Sequence, residues 1–415
     1  MKTLLEKINS EKCTTLRLSD YINIKHGFAF KGEYFSITPT QDVLITPGNF
    51  AIGGGFKADK FKYYKGAIPS DYILKEGDLV VTMTDLSVNA DTLGYSALIP
   101  GDSNKKFLHN QRVGLVEKKK EGIDFGYLYY LMRTRPYQKY VVSTASGSTV
   151  KHTSPDRITG YEYEFPSQTT QQKIASILGA YDKKIENNNK IIRNIERTAQ
   201  TLFNEWFVNF RFPGYEKTKF VDSEMGEIPE EWNFGSVTSI FEINPVTRVK
   251  DDDEVPFVEM RDLSESGMSF MYEQKRKPTN GSRFKNHDTL IARITPCLEN
   301  GKSGYVACLE EGEVGAGSTE FIVLRPRDVV FREFTYLLAR NESFRSHAIS
   351  RMIGSSGRQR VSGDDIGRFE FVKPTPTVIE EFHRIVSPMF SLIKRYSAEN
   401  TVLKSQRDQL LAKLI

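Results

Sequence analysis

Apolar residues recur along two stretches of the chain in steps that alternate four and three. The first runs Ile174, Leu178, Tyr181, Ile185, Asn188, Ile192, Ile195, Ala199, Leu202, Trp206. The second runs Phe382, Val386, Met389, Ile393, Tyr396, Asn400, Leu403, Arg407, Leu410, Leu414. Such steps draw one stripe down a long helix, the seam of a coiled coil. The hydroxyls of Ser167-Gln168-Thr169-Thr170 suit the start of a helix over 169–211, and Pro213-Gly214 ends it. The second helix, over 376–415, enters through Pro374-Thr375-Pro376-Thr377, and Pro388 predicts a kink near its start. Residues 15–110 and 232–330 alternate apolar and polar positions between Gly, Pro and Asp turns, which predicts short strands. Residues 125–145, interrupted at Pro136, and 331–351 have helical periodicity. The pattern predicts an α+β chain with strands dominant in its globular parts.

A long amphipathic helix leaves its stripe uncovered unless something pairs with it, and each seam is the natural partner of the other. Antiparallel pairing sets Asn188 against Asn400, Tyr181 against Arg407, Ile195 against Ile393, Ile185 against Leu403 and Trp206 against Phe382. Each polar intruder then meets a side chain able to bond or stack with it, and Asn facing Asn fixes register. Parallel pairing would put each Asn in an apolar layer. The plain alternative is two amphipathic helices, each packed on its own domain.

The halves match outside the helices as well. Tyr127, Leu131, Arg133, Gly147 and Ser148 recur 207 residues later as Phe334, Leu338, Arg340, Gly354 and Ser355. Ile158, Tyr163 and Pro166 recur 208 residues later as Ile366, Phe371 and Pro374. The slip falls in a loop, where insertions are tolerated. Further upstream, Gly77-Asp78-Leu79-Val80-Val81 answers His287-Asp288-Thr289-Leu290-Ile291 as a turn entering a strand. A duplicated unit explains this order, and the expected particle is pseudo-twofold, with two similar globules separated by the antiparallel helix pair.

Composition narrows the function. No apolar run is long enough to span a bilayer, and residues 1–15 lack the apolar core of a signal peptide. Cys13, Cys297 and Cys308 form neither a metal-ligand spacing nor a disulfide framework, so a cytoplasmic setting is expected. The net charge of +4 permits nucleic acid without demanding it. Lys57, Lys60, Lys62 and Lys65 cluster among Phe61, Tyr63 and Tyr64, and Arg261, Lys275, Arg276, Lys277, Arg283 and Lys285 form a second cluster. Cations interleaved with aromatics suit phosphate and base contact; the bland reading is a solvated face.

Catalytic signatures fail one by one. Asn244-Pro245-Val246 falls short of the Asn/Asp-Pro-Pro-aromatic loop of an amino-methyltransferase. Pro155-Asp156 and Asp182-Lys183-Lys184 mimic a nuclease spacing, but Asp182 and Lys184 sit beside seam residues and read as surface charges. Asn300-Gly301-Lys302-Ser303 lacks the leading glycine of a phosphate-binding loop. The histidines show no zinc spacing. No metal site, bound cofactor or catalytic residue is expected.

At these residues the chain resembles the specificity subunits of type I restriction–modification systems. GEIPEEW (226–232) resembles the family's entry to a target-recognition domain. TTQQKIASILGAYDKKIENNN (169–189) and TLFNEWFVNFRFP (201–213) resemble its central helix. RITPCLENGKSG (293–304), GAGSTEFIVLRP (315–326) and GFAFKGEYF (27–35) resemble segments of recognition domains. The first half lacks the Gly-x-x-Pro-x-x-Trp entry. The resemblance implies target-recognition domains at 1–168 and 213–374, a central spacer helix at 169–212 and a C-terminal one at 375–415. It implies recognition of a bipartite, asymmetric site in double-stranded DNA. Two methyltransferase subunits binding S-adenosylmethionine, and motor–nuclease subunits using ATP and Mg, would be the partners and would carry the catalysis.

Candidate DNA contacts follow from chemistry. Lys151 and His152 follow the Gly147-Ser148 turn, and Arg358, Gln359 and Arg360 follow Gly354-Ser355-Ser356-Gly357. Glycine-serine loops let main-chain amides approach phosphate, with Arg and Gln to read base edges. Lys57, Lys60, Arg261 and Arg283 are secondary candidates. Phe203, Trp206, Phe207 and Phe210, crowded at one helix end, suit subunit docking or packing of the spacer on its domain. The competing class is a coiled-coil scaffold whose end domains bind proteins, distinguishable because it would lack salt-sensitive, sequence-selective DNA binding. A fused restriction enzyme is disfavoured by the missing catalytic motifs.

Overall fold

The computed structural model describes residues 13–415 except 59, 88, 225, 250–252, 273, 278 and 279. The chain divides into two compact units, one formed by the chain up to Lys184 together with Leu403–Ile415, the other by Ile185–Val402. The long helices run Gln168–Phe207 and Pro376–Leu414, the second continuous through Pro388. Every residue of both seams is buried or half-buried.

In the first unit, one sheet has the order Ile22–His26, Val113–Lys118, Leu79–Thr82, Ser96–Leu98, antiparallel throughout. A second sheet has at its centre a parallel pair, Asp42–Ile45 with Lys106–His109. The segments Thr14–Arg17 and Glu162–Phe165 close the unit as an antiparallel pair. In the second unit the order Phe241–Ile243, Phe321–Pro326, Thr289–Ala292, Ser303–Tyr305 reproduces the first sheet. Its second sheet again carries a parallel pair, Val255–Val258 with Gly315–Gly317. Asn233–Ser236 pairs with Glu370–Lys373 as the closing pair. The duplication therefore extends through strand order, including the regions where sequence likeness fades.

One turn carries the equivalence to atomic detail. Gly77 and His287 both take positive φ, +82° and +76°. Their neighbours Asp78 and Asp288 each accept a 2.8 Å hydrogen bond from a main-chain N–H three residues back, at Lys75 and Lys285. Glycine adopts this conformation freely and histidine only at some cost.

Pro136 does not interrupt a helix. The segment forms two, Phe125–Leu131 and Arg135–Ser143, and Pro136 lies in the first turn of the second, behind the Thr134 cap. Proline is tolerated there because the first-turn N–H groups have no helical partner.

The helices pair antiparallel within each unit. In the second unit Asn188 Nδ2 donates to Asn400 Oδ1 at 3.0 Å, and Asn400 Nδ2 donates to Asn189 Oδ1 at 2.9 Å. The Trp206 and Phe382 rings lie 5.5 Å apart, and Ile195 packs on the core that contains Ile393. In the first unit Ile174 and Leu178 share a core with Leu410, Leu411 and Leu414, and Tyr163 donates to the Ile415 main-chain oxygen at 2.6 Å. Asn188→Leu leaves the buried Asn400 oxygen without its donor and should cost about 1–3 kcal/mol. The double variant Asn188→Leu/Asn400→Leu should recover that loss, because two apolar side chains replace both partners. Thermal unfolding of both variants checks this; additive losses would show that the two amides do not act as a pair.

At Arg407, expected to face Tyr181, the hydrogen bonds of the guanidinium go to carboxylates. Arg407 gives its guanidinium to Asp182, one residue along the helix, and Asp182 also accepts from Arg133 Nη1 at 3.1 Å and Tyr130 OH at 2.7 Å. Asp182 is thus no solvated surface charge. A guanidinium drawn out of water is better compensated by a carboxylate than by a phenol ring.

Candidate nucleic-acid interface

The loops after the paired glycines are built alike. Gly147 (φ +96°) and Gly354 (φ +137°) open them, and a Cβ at Gly147 would lie 2.0 Å from the Val150 carbonyl oxygen. Beyond the first glycine, Lys151 and His152 pair with Asp85 and Thr84, and His152 Nδ1 lies 3.1 Å from Thr84 Oγ1. Asp85 is buried, which would push its carboxyl up. Hydrogen bonds from Thr92 and Ser87 more than reverse this and hold it below the usual range. That carboxylate accepts from Ser87 N, Thr92 N and Thr92 Oγ1 at 2.6 Å each.

Beyond the second glycine, Arg358 and Arg360 are exposed and Gln359 is half-buried. The Gln359 carbonyl accepts from Thr295 N at 3.0 Å, so this loop is tied to the RITPC segment. Arg360 makes a two-pronged ion pair with Glu320, at 2.7 to 3.0 Å. Sequence reading found Arg360 but missed Glu320, which lies 40 residues away in the turn before a strand.

The secondary candidates divide. Lys57 and Lys60 are exposed, and the loop carrying them is folded over Asn49, whose amide donates to their carbonyls at 3.3 and 2.9 Å. Tyr64 is buried, and Phe61 and Tyr63 pack on a core. The aromatics there support the loop rather than interleave with its lysines at the surface. Arg261 pairs with Glu259 at 3.0 Å, Lys275 with Glu313 and Arg276 with Glu259 at 2.7 Å each. Arg283 Nη1 donates to the Gly281 carbonyl at 3.0 Å. The second basic cluster is therefore partly neutralised.

The aromatic helix end is interior. Phe203, Trp206 and Phe207 are buried in the second unit's core, where Phe207 meets Phe334 and Phe382 with centroids 4.9 and 4.7 Å apart. Phe210 and Phe212 pack on Trp232, the last residue of the GEIPEEW segment, at 5.5 and 5.0 Å. Phe203, Trp206 and Phe207 hold the helix to its domain, while Phe210 remains half-buried. Among the described residues there is no group of three or more His, Cys, Asp or Glu placed to hold a metal, and no helix is long and apolar enough to cross a membrane.

The two units are thus a duplicated α+β framework, each with a basic glycine-serine loop, and known proteins share this likeness. Residues 11–197 match the type I restriction modification DNA specificity domain. The specificity subunit of the type I restriction enzyme MjaIX from Methanocaldococcus jannaschii is 26% identical over 313 residues, 71% of this chain and 69% of its own length. That of EcoAI from Escherichia coli is 31% identical over 200 residues, 46% of this chain, which spans only 33% of the relative. The crystal structure of a type I system S subunit from M. genitalium shares the fold, with a TM-score of 0.56 at 15% identity across 98% of this chain and 97% of that one. The first part of the chain, residues 11–197, thus matches a DNA specificity domain, and the chain as a whole is similar to type I restriction enzyme specificity subunits.

Proposed function

We propose that the two units read the two parts of a bipartite, asymmetric DNA target, and that this chain delivers modification and restriction subunits to it. The supporting observation is duplication with divergence: strand order and loop closure repeat, while the side chains at equivalent loop positions differ, with exposed His152 in one unit and exposed Arg360 in the other. Equal frameworks dock alike on a duplex, and unequal side chains select unequal bases. Lys151, His152, Arg358, Gln359 and Arg360 are assigned to the bases and nearby phosphates; Lys57, Lys60, Arg261 and Arg283 are assigned to flanking phosphates. In this reading the chain is a non-catalytic cytoplasmic subunit, and the S-adenosylmethionine and ATP chemistry resides on its partners.

Genome-wide mapping of methylated adenine in cells with and without the gene tests this. The expected result is a motif that disappears with the gene and consists of two unlike half-sites at a fixed gap. A palindromic motif, or an unchanged methylation pattern, would overturn it.

A further inference from the structure

Both halves place one exposed side chain at the same point of the fold. In the first half, His152 and Ser146 exchange main-chain hydrogen bonds of 2.8 and 2.9 Å; in the second, Arg360 and Ile353 do so at 2.9 Å. The next residue, Thr153 or Val361, donates its N–H to the Met83 or Arg293 carbonyl at 3.0 Å. The residue after that, Ser154 or Ser362, caps a short helix. His152 and Arg360 are therefore equivalent positions, and both are exposed.

Arg360 is clamped from one side. Its Nε and Nη2 donate to the Glu320 carboxylate, while Nη1 reaches only the Arg358 carbonyl, at 3.3 Å. Glu320 is itself fixed: its N–H donates to Ser318 Oγ at 3.1 Å and its carbonyl accepts from Arg293 N at 3.0 Å. Hydrogen bonds from Arg360 hold its carboxyl below the usual range, so the clamp stays ionised at neutral pH. A guanidinium held through Nε and Nη2 keeps outward hydrogens on Nη1 and Nη2, the pair that reaches O6 and N7 of guanine. Clamping also removes rotamer freedom that a loose arginine would lose on binding. His152 is different: with Nδ1 against Thr84 Oγ1, only Nε2 is left to face a base, and one nitrogen makes one contact.

Resting on the two-headed reading above, the geometry points to Arg360, positioned by Glu320, as the reader of a guanine in the second head's half-site. His152, at the equivalent point of the first head, makes a one-point contact, so the half-sites differ there.

Binding-site selection from randomised duplexes with the full-length chain tests this. Arg360→Ala should reduce guanine preference at one base pair by about 5- to 150-fold and leave the other positions unchanged. Arg360→Lys keeps the charge and gives up the two-point contact, so it should lose the same preference with overall affinity largely retained. Glu320→Gln should weaken that preference a few-fold and no other. A wild-type chain that selects no motif would overturn the two-headed reading itself. A bipartite wild-type motif that Arg360→Ala and Arg360→Lys both leave intact would overturn this inference alone.

Discussion

Asp182→Ala is expected to destabilise the first unit by about 3 kcal/mol, because it takes the shared carboxylate from two poorly hydrated guanidiniums, leaving Arg407 only Asp408 and Arg133 only the Gly53 carbonyl and Tyr129 hydroxyl. The Arg133 and Arg407 side chains are 4% and 13% exposed, and both point at this carboxylate. Removing one partner from a buried ion pair costs far more than the pair contributes over an apolar replacement, since the remaining charge stays desolvated. For a unit of this size the loss should appear as a fall in Tm of about 6–12 °C. The carboxyl also carries a pH signature. Burial alone would raise its pKa, but Arg133, Arg407 and the hydrogen bonds from Arg407 and Tyr130 bring it below its ordinary value of 3.8. A depressed folded pKa contributes stability above the unfolded value, and that contribution fades as pH falls through the folded one. The gap between wild type and Asp182→Asn should therefore be full at pH 7 and shrink below about pH 4. A loss under 1 kcal/mol at neutral pH would mean that water already screens these charges.

Phe203→Ala should cost about 3–5 kcal/mol in the second unit. The side chain is 1% exposed, and its ring lies 5.1 Å from Phe334 and 5.4 Å from Phe207. Truncation opens a ring-sized void among aromatics that are themselves fixed by neighbours, so collapse into it is limited. Denaturant unfolding measures the loss, with half-buried Phe210→Ala as a milder comparison. If these rings served docking instead, Phe203→Ala would leave stability unchanged and weaken only the assembly with partner subunits.

Much of this was legible in the sequence because it is local or periodic. A seam with four-three spacing announces its helix, and an Asn inside each stripe announces where the stripes meet. The glycine-serine loops were legible because glycine at Gly147 and Gly354 is demanded by backbone shape. The parallel pair Asp42–Ile45 with Lys106–His109 was not legible, since the connection between those strands leaves no periodic trace in either. Asp182 looked solvated because its partners, Arg133 and Arg407, lie 49 and 225 residues away. The Glu320 clamp was hidden in the same way. Pairings of this kind are products of tertiary structure, and residue type alone does not choose among many candidate cations and anions.

The first unit is completed by the residues Leu403–Ile415, which a ribosome delivers after all of the second unit. Until Leu410, Leu411 and Leu414 arrive, Ile174 and Leu178 lack one wall of their core, and Arg407 has yet to reach Asp182. The growing chain thus passes through a stage in which its later-made unit is whole and its earlier-made one is unfinished. In that interval the apolar faces of Ile174 and Leu178 are open, the condition under which misassembly occurs.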